Sequence, residues 1–252
     1  MGVIQTIERI EQDFENRKPP FDAVEFPEER LLREMSEKLG DVEPIPLSME
    51  RKLRLISAFA TFDYNRNASQ LVDDLVELRQ KTSGRVFEPF GYNDGEDWLQ
   101  ERFEDVGMRY PNRDASGWWE NNQILREKYS GKWHELILDT GCCATSLVER
   151  LNKDNFKYLK GAKIAPMYAR IINDQVCPLD NMWKLDIPAD THIISLTGKL
   201  TNTEMSADDT RSWWRKIGQK ENISRHVVDA ALWQIGNNWD EWGEGYWMSV
   251  TE

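Results

Sequence analysis

Lys163 and Asp190 are the two residues whose types and positions best suit covalent chemistry. Lys163 stands at the start of an apolar, helix-like stretch, Ile164 to Ile172, and Asp190, 27 positions further on, opens a second one, Ile193 to Leu200. An amine becomes a nucleophile where a neighbouring group accepts its proton, and a carboxylate at a second helix start can serve as that group. The spacing also fits an unrelated surface lysine and a helix-capping aspartate, and both interpretations stay open at this point.

The chemistry of such a pair depends on its surroundings. A lysine with the usual pKa of about 10.4 is protonated at neutral pH and is a poor nucleophile. Partial burial and cationic neighbours such as Lys157 and Lys160 would favour the neutral amine. The positive end of a helix dipole would keep Asp190 ionised. An ionised carboxylate beside a neutral amine can accept a proton or stabilise positive charge on a sugar, and hydrolysis or lyase chemistry at a glycosidic carbon needs both functions.

Helical periodicity dominates the elements that must position this pair, so the sequence predicts an all-α protein of about ten helices. Ser48 and either Asn67 or Ser69 suit helix N-caps, and Ser206 to Asp209 form a capping box. Gly40 and Gly218 are read as helix ends. The main predicted helices cover residues 3–15, 27–39, about 96–106, 115–129, 132–139 and 224–235, with a loop at 84–96.

Composition limits the possible classes of protein. Forty per cent hydrophobic residues and eleven tryptophans indicate a globular chain, and no apolar run approaches the roughly 20 residues that span a bilayer. Three cysteines are too few for a four-cysteine zinc or iron–sulfur site and suggest a reducing compartment. We therefore expect no cofactor, no metal, no membrane partner and, since no secretory signal is recognisable, a cytoplasmic location.

The net charge of −12 argues at first against nucleic acid, because phosphate contacts need local cations. Its distribution weakens that objection. Residues 1–120 hold 26 acidic and 16 basic residues, whereas residues 121–252 hold 18 and 16. Arg150, Lys153, Lys157, Lys160 and Arg170 bracket Lys163 and face only Asp154 across positions 150–172, so a local contact with phosphates is compatible with the composition.

Three segments resemble the helix-hairpin-helix DNA glycosylase superfamily. Leu159 to Ile172 looks like the hairpin and second helix of its motif, and Pro188 to Ile193 is similar to the segment that carries its essential aspartate. His226 to Trp233 resembles a late helix of the archaeal 8-oxoguanine DNA glycosylase/AP lyase branch, which is the closest branch. The resemblance covers roughly residues 155–240. It implies a two-lobed helical fold, with lobes 1–150 and 151–252 and the active site in the cleft between them.

The resemblance also implies roles for individual residues. Lys163 would attack the anomeric carbon of a damaged nucleotide, and Asp190 would activate it. Asp229 would accept hydrogen bonds from an oxidised purine on which Trp233 stacks. The backbone of the DNA would be held by Lys157, Lys160 and Gly161.

The implied activity is base-excision repair: release of an 8-oxoguanine-like base through a lysine Schiff base, followed by β-elimination. The partner would be double-stranded DNA with a damaged base, and the protein would be a monomer from a prokaryote, most simply an archaeon. Two alternatives remain. One is a nucleosidase acting on a free modified nucleoside or nucleotide, which the overall acidity favours. The other is a non-catalytic DNA- or protein-binding module in which the Lys/Asp pair is a salt bridge.

Overall fold

The computed structural model describes residues 2–37, 39–43, 47–63, 66–88, 95–221 and 223–252. Within these ranges the chain forms thirteen α-helices and no strand, so the predicted all-α class is confirmed. No described helix is both long enough and apolar enough to cross a membrane. The helices are α1 (Val3–Glu15), α2 (Pro27–Ser36), α3 (Met49–Phe62), α4 (Ala68–Thr82), α5 (Glu96–Asp105), α6 (Pro111–Lys128), α7 (Trp133–Asp139), α8 (Ala144–Lys153), α9 (Gly161–Gln175), α10 (Thr191–Thr201), α11 (Ala207–Glu221), α12 (Arg225–Asn237) and α13 (Glu244–Thr251).

The chain divides into two compact units. The terminal unit comprises Met1–Val24 and Asn181–Glu252, and the central unit comprises Glu25–Asp180. Within the terminal unit α1 packs on α12 and α13, which joins the two ends of the chain. The lobes 1–150 and 151–252 stay a prediction. Their bounds differ from those of the two compact units.

Side-chain caps start several helices where the sequence predicts them. The Ser48 hydroxyl accepts from the Arg51 amide at 3.4 Å, and the Asn67 side chain accepts from the Gln70 amide at 3.1 Å. The Ser206 hydroxyl accepts from the Asp209 amide at 3.1 Å while the Asp209 carboxylate accepts from the Ser206 amide at 3.4 Å, which confirms the capping box. Each cap satisfies an amide that has no partner inside its helix.

Two predicted helix ends are wrong. Helix α2 ends at Ser36, and Gly40 lies instead in a turn between Leu39 and Val42 with φ of +56°. Helix α11 continues through Gly218 to Glu221. Glycine at position 218 lets the Arg225 side chain pack closely against the helix, because a β-carbon there would stand 2.9 Å from Cδ of Arg225. The glycine therefore marks a close approach rather than a helix end.

The C-terminal elements also differ from the sequence prediction. A π-helical turn, Trp239–Gly243, follows α12 and leads into α13. Neither element was predicted from the sequence. The predicted loop at 84–96 begins with a 3-10 turn, Arg85–Phe87, and its residues 89–94 lie outside the described ranges.

The core of the terminal unit holds α10 and α12 together. Ile193 and Leu196 of α10 and Val228, Leu232 and Ile235 of α12 are at most 1% exposed and belong to one apolar cluster. Full burial of side chains of this size contributes about 1.5–3 kcal/mol each, so the pairing of these two helices is strongly specified.

The core of the central unit fixes α9. Helix α9 packs on α3 and α8, and its buried face includes Ala165, Tyr168 and Ile172. The Tyr168 hydroxyl lies 2.6 Å from the Ser57 hydroxyl of α3, so this buried hydroxyl has a partner. The start of α9 is left at the surface by this packing.

Candidate active site

The connection between α8 and α9 is held in one conformation by α6. Its Lys157 amide donates to the Asn121 side chain at 2.6 Å, and the Asn121 amide donates back to the Lys157 carbonyl at 3.0 Å. The Tyr158 ring lies over Gly117, where a β-carbon would come within 2.6 Å of it. Asn155 and Tyr158 both have positive φ, of 62° and 59°. A connection that is anchored this way presents its backbone in a fixed position.

Of the predicted DNA-backbone residues, Lys157 and Lys160 lie on this connection and Gly161 is the first residue of α9. Gly161, with φ of +91°, donates its amide to the Asn152 side chain at 2.9 Å. Lys157 forms an ion pair with Glu120 at 3.1 Å, and the exposed Lys160 ammonium donates to Asn155. Their contact with phosphate stays a prediction. A phosphate that used the Gly161 amide would have to replace the Asn152 oxygen.

Lys163 is the third residue of α9 and is exposed. The partial burial that the sequence argument invokes is therefore not found in this structure. Lys160 is the N-cap of the same helix, three positions before Lys163, and its effect on the amine stays a prediction. The amine is free to reach a large substrate, as a nucleophile acting on a polymer must be.

Asp190 is the N-cap of α10, and its Oδ1 accepts from the Ile193 amide at 2.9 Å. The chain that leads to it is anchored, because Ile187 and Ala189 are 1% and 6% exposed. One carboxylate oxygen therefore closes the helix start, while the side chain as a whole is only partly buried. This geometry keeps the carboxylate at a fixed place with a face towards solvent.

The start of α10 lies against α12. A β-carbon on Gly236 of α12 would stand 2.6 Å from Cβ of His192, so only glycine permits this approach. The His192 ring meets Trp233 edge to face, with centroids 6.5 Å apart and planes at 83°. The residue two positions after Asp190 therefore contacts the predicted base-stacking tryptophan.

Asp229 and Trp233 lie one turn apart on α12, as their spacing predicts. Asp229 is 4% exposed, whereas Trp233 is partly exposed. Arg225 lies one further turn back and is 3% exposed. Helix α12 thus carries, in a row, a buried arginine, a buried aspartate and a half-buried indole.

Arg225 is a residue of this region that the sequence analysis missed. Its Nη2 donates to the Trp183 carbonyl at 2.6 Å, and its Nη1 lies 3.4 Å from Oδ1 of Asp186. Burial lowers the pKa of the Arg225 guanidinium from its usual value. Through these bonds α12 holds the segment that runs on to Asp190. The spacing of four residues before Asp229 is the signal that sequence reasoning could have used.

The terminal unit thus brings the predicted Asp190, Asp229 and Trp233 onto two packed helices. Lys163 belongs to the central unit, with Lys157, Lys160 and Gly161. That the Lys163 amine meets the Asp190 carboxylate stays a prediction, as do the roles of all seven residues.

Comparison with known proteins identifies the fold. The chain is similar to the crystal structure of the 8-oxoguanine DNA glycosylase of Thermotoga maritima, with a TM-score of 0.52 and 17% sequence identity over 92% of this chain and 95% of that chain. No protein-family model and no curated protein matches the sequence. The closeness to an archaeal branch stays a prediction. The fold-level resemblance predicted from the sequence is confirmed: this chain has the all-helical fold of a DNA glycosylase.

Proposed function

We propose that the protein is a base-excision DNA glycosylase with AP lyase activity that removes an oxidised purine of the 8-oxoguanine kind. The observation that carries the proposal is the packing of the Asp190 helix start against the Asp229/Trp233 face of α12, through His192 and Gly236. The residue two positions after Asp190 thereby contacts the indole proposed for base recognition, on the helix that also carries Asp229. The fold similarity over almost the whole of both chains supports the same proposal.

In the proposed mechanism Lys163 supplies the nucleophile. Asp190 accepts a proton from the ammonium, and the free amine attacks C1′ of the damaged nucleotide. The bond from C1′ to the base breaks, and its electron pair leaves with the base, which takes up a proton. The bond from C1′ to O4′ then breaks, O4′ keeps the electron pair and takes a proton that the nitrogen gives up, and a protonated Schiff base joins the Lys163 nitrogen to C1′. Loss of a proton from C2′ then breaks the bond from C3′ to oxygen and nicks the strand.

Recognition of the base is assigned to α12. Asp229 accepts a hydrogen bond from a ring N–H, and Trp233 stacks on the ring. An oxidised purine of the 8-oxoguanine kind has a ring N–H that guanine lacks, so a buried carboxylate distinguishes the two. The nucleotide must leave the helix to reach these groups, at a cost of a few kcal/mol that the pocket contacts offset.

A lesion panel tests this proposal. Duplexes that each carry one damaged base are incubated with the protein, and strand scission is measured with and without subsequent alkali. We expect scission at an oxidised purine without alkali, because the lyase step follows base release. Scission only after alkali would support the proposed glycosylase activity and contradict the proposed lyase activity. Intact strands across the panel after alkali would contradict both.

A further inference from the structure

Trp183 stands out in the terminal unit because its backbone is fixed while its side chain lies in solvent. It belongs to a 3-10 turn, Met182–Lys184, and 59% of its surface is exposed. The flanking Met182 and Leu185 are each 6% exposed and anchor the turn in the core. An indole offers a large apolar face on which a flat partner can stack, and the anchored turn holds that face in a fixed position.

The anchoring of this turn involves a buried charge. Arg225 of α12 donates to the Trp183 carbonyl at 2.6 Å, and its side chain is 4% exposed. Gly218 of α11 leaves room for the arginine, since a β-carbon there would meet its side chain at 2.9 Å. A rigid aromatic side chain loses little conformational entropy when it stacks on a partner, so such anchoring strengthens binding.

The charged side chains around the Trp183 turn indicate what kind of partner could bind there. Lys184 places its ammonium 5.0 Å from the Trp183 ring centroid, and Arg215 forms a two-bond ion pair with Asp186 at 3.0 and 2.6 Å. Arg225 also lies beside Asp186, at 3.4 Å. Lys184, Arg215 and Arg225 therefore adjoin the turn together with Asp186, and the exposed Asp180 precedes the turn in sequence. Three cations against these two carboxylates leave a local positive balance, in a chain with a net charge of −12. A local excess of positive charge beside an exposed indole suits a strand of nucleic acid, whose bases stack and whose phosphates are anionic.

We propose that Trp183 and Lys184 form a nucleic-acid contact in which the indole stacks on an unpaired base and the ammonium pairs with a phosphate. The contact rests on the proposed glycosylase function, since expulsion of one nucleotide from a duplex leaves bases unstacked. The turn is joined to α12 by Arg225, so this surface adjoins the helix that carries Asp229 and Trp233.

Photo-crosslinking tests the contact on the full-length protein. A lesion-free single-stranded oligonucleotide with 5-iododeoxyuridine is bound, irradiated and mapped by mass spectrometry after tryptic digestion. The tryptic peptide Ile171–Lys184 holds Trp183 as its single aromatic residue, which makes the assignment direct. We expect a crosslink at Trp183. Crosslinks that map only to other aromatic residues would overturn the proposal.

Binding of the same unmodified oligonucleotide gives the energetic test. Trp183→Ala should weaken binding about 5- to 100-fold, the range for loss of one stacked base, and Trp183→Phe should restore most of the affinity. Lys184→Gln should lower the salt dependence of log K by about 0.7, as expected for one lost phosphate contact on a single strand. The matched control is Met248→Ala, which alters another exposed apolar residue of the same unit, 50% exposed on α13. Equal affinities for wild type, Trp183→Ala and Met248→Ala would overturn the proposal.

These experiments separate the contact from the proposed function. If the protein excises a lesion but binds DNA equally with and without the Trp183 indole, the proposed function stands and the proposed contact is refuted. If the protein excises no lesion but needs Trp183 for DNA binding, the proposed contact stands and the proposed glycosylase activity is refuted. Thermal unfolding of each variant is the control that checks whether these substitutions of exposed residues leave the fold intact.

Discussion

Gly236 and His192 lie so close together that a β-carbon on the glycine would stand 2.6 Å from the histidine Cβ. This approach brings α12 against the first turn of α10, which Asp190 caps. The distance between the Asp190 carboxylate, whose reaction is a proposal, and the face that carries Trp233 therefore depends on the absence of a single methyl group. A side chain at position 236 would force the two helices apart.

Replacement of Gly236 by alanine should destabilise the protein by about 1–3 kcal/mol, the usual cost of overpacking a well-packed contact. The folded fraction should also excise its lesion more slowly, because Asp190 moves relative to α12. Thermal unfolding and single-turnover excision measure the two effects. The control is Gly245→Ala on α13, where a β-carbon meets nothing within 4 Å. It should leave both quantities unchanged or raise stability slightly. Equal behaviour of the two variants would show that the close approach has no consequence.

Asp190 has a structural and a proposed chemical role, and two substitutions separate them. Asparagine keeps an oxygen for the Ile193 amide and is an equally good N-cap, so Asp190→Asn should unfold near the wild-type temperature. Alanine removes the cap and should cost about 1 kcal/mol. Both should reduce turnover by a factor of 100 or more if the carboxylate accepts the lysine proton, roughly the value of a general base. Full activity in Asp190→Asn would leave the residue only its capping role.

The buried Arg225 should matter for stability more than its exposed neighbour Arg215. Arg225→Met keeps the apolar stem but leaves the Trp183 carbonyl without its donor, at a cost of about 1.5–3 kcal/mol for a bond from a charged group. Arg215 pairs with Asp186 at the surface, with 48% of its side chain exposed, and Arg215→Gln should cost no more than about 1 kcal/mol. Denaturant unfolding of both variants gives the comparison. A larger loss in Arg215→Gln would refute this ranking.

Salt dependence distinguishes a DNA enzyme from a nucleosidase. If Lys160 contacts a phosphate of the duplex, Lys160→Gln should lower the slope of log K against log salt by about 0.9. Lys132→Gln, which changes an exposed lysine at the start of α7, is the control and should leave the slope unchanged. A reaction on a free nucleoside should be almost insensitive to salt. Excision rates that stay constant from about 50 to 200 mM salt would favour the nucleosidase.

The helix content and several helix starts could be predicted from the sequence because their causes are local. Ser48, Asn67 and Ser206 carry the oxygen that caps the next helix, and the structure has them bonded in that way. Glycines were less informative. Gly218 permits a close packing contact within a continuous helix, and a single sequence does not separate that role from a helix end.

Only those features of the candidate site that depend on residues close together in the sequence could be predicted. The spacing of Asp229 and Trp233 places them on one face of α12, which is a local property of a helix. The contact of His192 with Trp233 joins residues 41 positions apart and depends on how two helices cross. Arg225 was missed for the same reason, because its partners Trp183 and Asp186 lie about 40 positions earlier in the chain.

Borohydride trapping on lesion-bearing duplex DNA tests the central claim most directly, namely that the Lys163 amine bonds to a deoxyribose carbon. Reduction of a Schiff base should give a covalent protein–DNA adduct with the wild type and with Lys132→Ala. Lys163→Arg keeps the positive charge on an exposed side chain but should give no adduct. An equal yield of adduct from the wild type and Lys163→Arg would contradict the account.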